Sequence, residues 1–403
     1  MTSPRHAQSA GPGSATHPEG DIVVHVFGRT DVGRMREHNE DTFLVADLSS
    51  ETASPREKVS THLLSDVGSL FMVADGLGGA AAGEIASQMA VETVFDEMRR
   101  NWVNEADRSP EAFAISLKAA CETANAKINA FATAHPEHRG MGTTATIAGL
   151  LGDTLYLVQV GDSRAYLVRD YRVQQITKDQ SLMQRLIDAG EMTEEEAERS
   201  ERRNIILQAL GPEPVIRVDL TYQPIRHGDA LVLCTDGLFG QVRRDELEEV
   251  IQFDPDLVQI CKELIDRANE SGGPDNITVI AARFAGRRLD IAGEGDRIGH
   301  EVFPVPGLDF APTEEEIGYV PVAKHTATLK AVTTQLEESH APHPVRTLMI
   351  IAVVTAVVAA LGFGLIQMLR KPSRPAPRPA PSVQTPATPT STPPTVPPTG
   401  ARP

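Results

Sequence analysis

Four short acidic clusters are spread along the 403-residue chain: Glu40 and Asp41 in MREHNED, Asp75 in FMVADGLGG, Asp236 in LVLCTDGL and Asp275 in GGPDNITV. Asp75 and Asp236 each end an apolar β-type run and are followed by Gly. Carboxylates delivered by strand ends and tight turns from such distant positions suggest an oxygen cage for hard divalent cations. Magnesium or manganese prefers near-octahedral oxygen ligands and keeps several waters, so a set of Asp with almost no His or Cys disfavours zinc. Asp75 is the natural bridging ligand, because the backbone carbonyl of Gly76 can approach an ion closely. Asp236 and Asp275 would complete the shell of one ion, and Glu40 or Asp41 that of the other. Two bridged ions lower the pKa of a water and clamp a phosphoryl group in line. Arg36, close to the first acidic pair, could fork onto a phosphate dianion in a way that a lysine could not.

Taken singly, each of these features has an ordinary explanation. An Asp-Gly pair is most often a turn, and an arginine near acids is most often half of a surface ion pair. GDSRAYL around Asp162 reads equally as a hairpin turn, and TKDQSL as a loop. None of the 12 histidines stands in an H-x-x-x-H pair, and no G-x-S-x-G elbow marks a nucleophilic serine, so covalent catalysis is not indicated.

The elements that must position these residues lie between Asp21 and about Ala285, which read as one domain. IVVHVFGRTD, TFLVADL and SLFMVAD are strand-like, and residues 142 to 177 read as four short strands with Gly-Asp and Asp-Tyr turns, hence antiparallel. Val91, Val94, Phe95 and Met98 repeat at helical spacing, as do Phe113, Leu117, Cys121, Ala124, Ile128 and Phe131 behind a Ser109-Pro110 start. QSLMQRLIDAG predicts a helix closed at Gly190, and Thr193 to Glu196 a capping box. ELEEVIQ, LVQICKELIDRANE and a last strand in NITVIAARF complete a layered α+β sandwich with the carboxylates gathered at strand ends.

The rest of the chain is of other kinds. A formal charge of -17, with no basic stripe before the C-terminus, argues against nucleic acid as a partner. Three cysteines without C-x-x-C spacing suggest neither a zinc ribbon nor a disulfide framework. Residues 1–20 read as a disordered lead-in without a signal peptide, and 286–345 as a juxtamembrane linker. Between Arg346 and Arg370 lie 23 consecutive uncharged residues, about 34 Å as a helix, so 346–370 is expected to span a membrane once. Residues 371–403 form a Pro/Thr-rich tail, with 12 of the 29 prolines falling after Lys371. Arg370, Lys371, Arg374 and Arg378 would place that tail in the cytoplasm by the positive-inside rule. The missing N-terminal signal instead favours a cytoplasmic catalytic domain at the cell membrane.

GRMREHNED, FMVADGLGG with AAGEIAS after it, MGTTAT, VGDSRAYL, ITKDQSL, RNIILQALG, LCTDGLF and GGPDNITV, in that order over about 260 residues, resemble the bacterial metal-dependent serine/threonine protein phosphatases of the type 2C class, the PPM family. The resemblance implies a four-layer α-β-β-α sandwich with a central antiparallel β-sandwich and a two-metal site for Mn2+ or Mg2+. By motif, Asp75 bridges both ions, the Gly76 carbonyl binds the second, and Asp236 and Asp275 bind the first. Glu40 and Asp41 match the acidic pair at the second ion, Arg36 the phosphate-binding arginine, and Asp162 a ligand of a weaker third ion. Ser181 to about Arg203 corresponds to a flap beside the site. Animal members carry His after Asp-Gly as a candidate general acid; here the residue is Leu77, and no acid is assigned. The expected activity is hydrolysis of phosphoserine and phosphothreonine on proteins, opposing a Ser/Thr kinase. Two rivals are an inactive pseudophosphatase that binds phosphoproteins or a ligand, and a small-molecule phosphomonoesterase.

Overall fold

The strand residues of the domain alternate between two kinds of neighbour, and that alternation builds the molecule. The computed structural model describes residues 21–50, 59–304 and 322–323. One sheet of six strands contains β1 (Ile22–Asp31), β3 (Ser60–Leu63), β8 (Arg164–Arg169), β9 (Arg172–Gln175), β12 (Ala230–Cys234) and β13 (Ile277–Gly286), in the order β3-β1-β13-β12-β8-β9. The other contains β2 (Asp41–Asp47), β4 (Ser69–Leu77), β6 (Ala145–Leu151), β7 (Thr154–Val160), β11 (Asp219–Pro224) and β14 (Glu301–Val302), in the order β14-β11-β7-β6-β4-β2, with β5 (Gly142–Thr143) on the end of β4. All pairings in both sheets are antiparallel.

In β4 all nine residues are buried, yet they divide by parity. Phe71 and Val73 face the six-stranded sheet with Phe43, Val45, Leu157, Leu233 and Ile280, while Leu70, Met72 and Ala74 face the helices α1 (Ala80–Glu97) and α2 (Pro110–Ala134). This is the period of two expected of a strand covered on both sides. In the six-stranded sheet, Ile277, Val279 and Ala281 of β13 turn outward against Leu257, Ile260, Leu264 and Ile265 of α7 (Leu257–Glu270) and Leu247 and Val250 of α6 (Arg244–Phe253). The layers are therefore helix pair, sheet, sheet, helix pair.

The helices begin where their sequences predict. Ser109 accepts a hydrogen bond from Ala112 N at 3.2 Å with Pro110 in the first turn, which caps α2. Ser181 caps α3 (Leu182–Asp188), and Thr193 and Glu196 form a reciprocal capping box on α4 (Glu194–Glu198). These two short helices leave and rejoin the body at Ser181 and Ile206, which form a bridge. Ile206 belongs to β10 (Ile205–Ile206), which pairs antiparallel with Val322–Ala323. Among the described residues no helix is long and apolar enough to cross a membrane. The expected span at 346–370, the lead-in 1–20 and the tail 371–403 lie outside the described residues.

Candidate metal centre and active site

Strand register brings the first two acidic clusters together. Asp41 at the start of β2 lies directly opposite Asp75 on β4. Opposed residues share a face, and the parity of Phe43, Val45, Phe71 and Val73 sets both carboxylates toward the second sheet. From that sheet, Thr235 Oγ1 and Thr278 Oγ1 donate to Asp41 Oδ2 at 2.8 and 2.7 Å. Thr278 N in turn donates to Thr235 Oγ1 at 3.0 Å, so β13 and the residue that follows β12 present their hydroxyls as one unit. Asp41 is almost fully buried, and burial pushes its carboxyl up to about 7 against the pull of those two hydroxyls, with Asp275 and Asp236 raising it further.

The loop before β2 is tied to the start of β13. Asn276 Oδ1 accepts from Glu40 N at 2.8 Å, and Asn276 Nδ2 donates to the carbonyls of Val32 and His38. That staple carries Arg36 onto Asp275, with Nη2 to Oδ2 at 2.8 Å. Burial lowers the basicity of Arg36, but Asp275, Glu40 and Asp75 outweigh it and leave the guanidinium above its ordinary value. Glu40 is raised, mainly by burial and further by Asp275, with Arg36 opposing.

Gly76 is fixed by its surroundings. Its N–H donates to Glu40 O at 3.1 Å, and a Cβ there would stand 2.6 Å from that same oxygen and closer still to Gly83 O at the head of α1. Only glycine lets three backbone segments converge here. Asp75 is held by Thr144, whose Oγ1 accepts from Asp75 N at 3.0 Å, and by Thr143, whose Oγ1 donates to Asp75 O at 3.0 Å. Thr144 also bonds Ser163 at 2.8 Å, which places the turn carrying Asp162 one hydroxyl link from Asp75. Asp236 opens a one-turn helix, α5 (Asp236–Phe239), rather than the plain Asp-Gly turn that its sequence suggests. Leu77, which follows Asp75 and Gly76, is buried with Ile206 and Ala209 and serves as packing between β4 and the foot of the 181–206 segment.

Arg36, Glu40, Asp41, Asp75, Gly76, Asp236 and Asp275 thus converge on one end of the sandwich, with Asp162 beside them. Sequence reasoning missed Thr143, Thr144, Ser163 and Asn276, which fix the backbone that carries the acids, and Thr235 and Thr278, which bond the Asp41 carboxylate itself. The donors are oxygens throughout, the type that magnesium and manganese take. Among the described residues no three His, Cys, Asp or Glu side chains are drawn into a closed cage. An open oxygen set, to be completed by water and the Gly76 carbonyl, suits ions that retain hydration.

The sequence model of the protein phosphatase 2C family matches residues 58–278. The serine/threonine phosphatase stp of Listeria monocytogenes is 35% identical over 257 residues, covering 64% of this chain and 94% of that protein. The chain belongs to the protein phosphatase 2C family. PstP of Mycobacterium tuberculosis, a serine/threonine protein phosphatase, is 36% identical over 263 residues, 65% of this chain and 45% of its own length. Its crystal structure superposes with a TM-score of 0.55 at 34% identity, covering 65% of this chain and 99% of that one. A crystal structure of the catalytic domain of a serine/threonine protein phosphatase PstP in complex with two manganese ions superposes with a TM-score of 0.53 at 34% identity. The match to the family model begins after the Arg36 to Asp41 cluster, so register and hydrogen bonding place that cluster independently of it.

Proposed function

We propose that this phosphatase 2C domain hydrolyses phosphoserine and phosphothreonine on proteins with two Mn2+ or Mg2+ ions. The observation that carries the reading is the convergence of Asp41, Asp75, Gly76, Asp236 and Asp275 from both sheets beside Arg36. Asp75 would serve both ions, Asp236 and Asp275 the first, and the Gly76 carbonyl with Glu40 and Asp41 the second. Asp162 would serve a weaker third ion. Ions held there supply an activated water and neutralise charge on the phosphoryl group.

The chain's own residues then do two things. Arg36 exchanges Asp275 for the phosphate dianion and orients it by its planar fork. The Thr235–Thr278 pair stabilises Asp41 in its charged form, which an ion requires. Leu77 offers no proton, so the leaving alkoxide takes one from solvent or from another group.

Membrane tethering through 346–370, a cytoplasmic catalytic domain and opposition to a Ser/Thr kinase belong to the same proposal. The 23-residue uncharged run supports the tethering, and the serine/threonine phosphatase names of stp and PstP support a substrate class that a Ser/Thr kinase produces. Protease protection of each end in membrane vesicles tests the topology; a shielded catalytic domain would refute it. Release of phosphate from a phosphothreonine peptide, with manganese and with chelator, tests the activity.

A further inference from the structure

We infer that Arg164 is a positioning residue that holds the 181–206 segment and the Asp236 helix in one frame beside the active site. The inference deepens the proposed phosphatase reading and rests on it for its substrates. Arg164 opens β8 two residues after Asp162. Its Nε reaches Asp179 Oδ1 and Oδ2 at 3.1 and 3.0 Å, its Nη2 reaches Oδ2 at 2.8 Å, and its Nη1 donates to Tyr166 Oη at 3.2 Å. The guanidinium carbon stands 3.8 Å over the ring of Phe239, the last residue of α5, whose first residue is Asp236. A planar fork and a stacking face are used at once, which lysine cannot reproduce.

Asp179 is the near end of the excursion. Gln175 Nε2 also donates to it at 2.9 Å, and the next residue, Gln180, exchanges hydrogen bonds with Gly161: Gln180 N to Gly161 O at 2.8 Å and Gly161 N to Gln180 Oε1 at 3.0 Å. Leu207 N donates to Gln180 O at 2.8 Å, so both ends of the excursion meet there. Beyond this root, Glu194 to Glu196, Glu198, Arg199 and Glu201 to Arg203 are exposed. The foot of the segment packs through Ile206 on Leu77, two residues from Asp75, so a macromolecular substrate entering the site would meet the segment and a small aryl phosphate would not. Arg164 therefore governs how peptide substrates are seated more than it governs the chemistry at phosphorus.

The test uses the full chain with Arg164→Lys and Phe239→Leu, read in two ways. Mass-resolved tryptic cleavage after Arg199, Arg202 and Arg203 should quicken by about tenfold in Arg164→Lys, the loss of one charge-assisted bond, and by less in Phe239→Leu. With manganese, kcat/KM on a phosphothreonine peptide should fall about tenfold, mainly through KM, while kcat/KM on p-nitrophenyl phosphate changes less than about twofold. Unchanged cleavage, or equal losses on both substrates, overturns the inference. Should the wild-type chain hydrolyse neither substrate, the phosphatase reading fails on its own and the cleavage rates alone decide the role of Arg164.

Discussion

Replacing Gly76 by alanine tests the account of the site at its tightest point. A Cβ at residue 76 would lie 2.5 Å from Gly83 C and 2.6 Å from Glu40 O, where ordinary contact needs well over 3 Å. All these obstacles are backbone, so either the end of β4 or the loop carrying Glu40 must move by close to 1 Å. Overpacking of this kind costs about 1–3 kcal/mol, and a displacement of about 1 Å in a reacting constellation costs roughly 100-fold in rate. Gly83→Ala is the graded comparison, because its nearest obstacle is the flexible Glu40 carboxylate, although Gly76 C stands at 2.9 Å. Gly295→Ala is the control, with no atom near its Cβ. Manganese-dependent phosphate release and urea unfolding should rank the losses Gly76→Ala, then Gly83→Ala, then Gly295→Ala. A Gly76→Ala protein with near-normal kcat would refute the argument that this backbone convergence sets the metal centre.

Three further outcomes are expected. Asp41 has a folded pKa of about 7 against an ordinary value of 3.8, so its contribution to stability is fully present below pH 3.8 and declines as pH rises to 7. Metal-free wild type should therefore lose about 3 kcal/mol relative to Asp41→Asn between pH 5 and pH 8.5 in urea titrations; parallel profiles would contradict the assignment. Arg36→Ala should lower kcat/KM on a phosphopeptide by roughly 10- to 100-fold while leaving the unfolding midpoint nearly in place, since the Arg36–Asp275 pair is partly exposed. Arg169 and Asp229 form a bidentate pair, Nε to Oδ1 at 3.0 Å and Nη2 to Oδ2 at 2.6 Å, buried far from the carboxylates. Arg169→Met should cost about 3 kcal/mol and roughly 6–12 °C in Tm, with kcat unchanged at low temperature; an unaltered Tm would show the pair to be dispensable.

Local rules made much of this legible. The helical stripe of LVQICKELIDRANE reappears residue for residue as α7, and the Thr193 to Glu196 box closes as its spacing demands. The run IVVHVFGRTD is β1 to the residue. What escaped depends on register across distant strands. β11 has a weak local signature in DLTYQP and owes its existence to pairing with β7. Thr235 and Thr278 look like any strand threonines until the β12–β13 pairing sets them together under Asp41. Asp236 opens a helix directly after the extended Thr235, closed by Leu238 N to Thr235 O at 3.1 Å and Gly240 N to Asp236 O at 2.8 Å, which an Asp-Gly dipeptide does not disclose. At Leu77 the sequence shows only a missing imidazole; the burial against Ile206 and Ala209 supplies the reason for an apolar side chain.

The central claim is that Asp75 and Asp236 hold ions that drive phosphomonoester hydrolysis. Phosphate release from a phosphothreonine peptide by wild type, Asp75→Asn and Asp236→Asn, each with manganese and with chelator, measures it directly. The account predicts turnover by wild type with manganese alone, and none by either variant. Chelator-resistant turnover, or near-normal turnover in either variant, would contradict it.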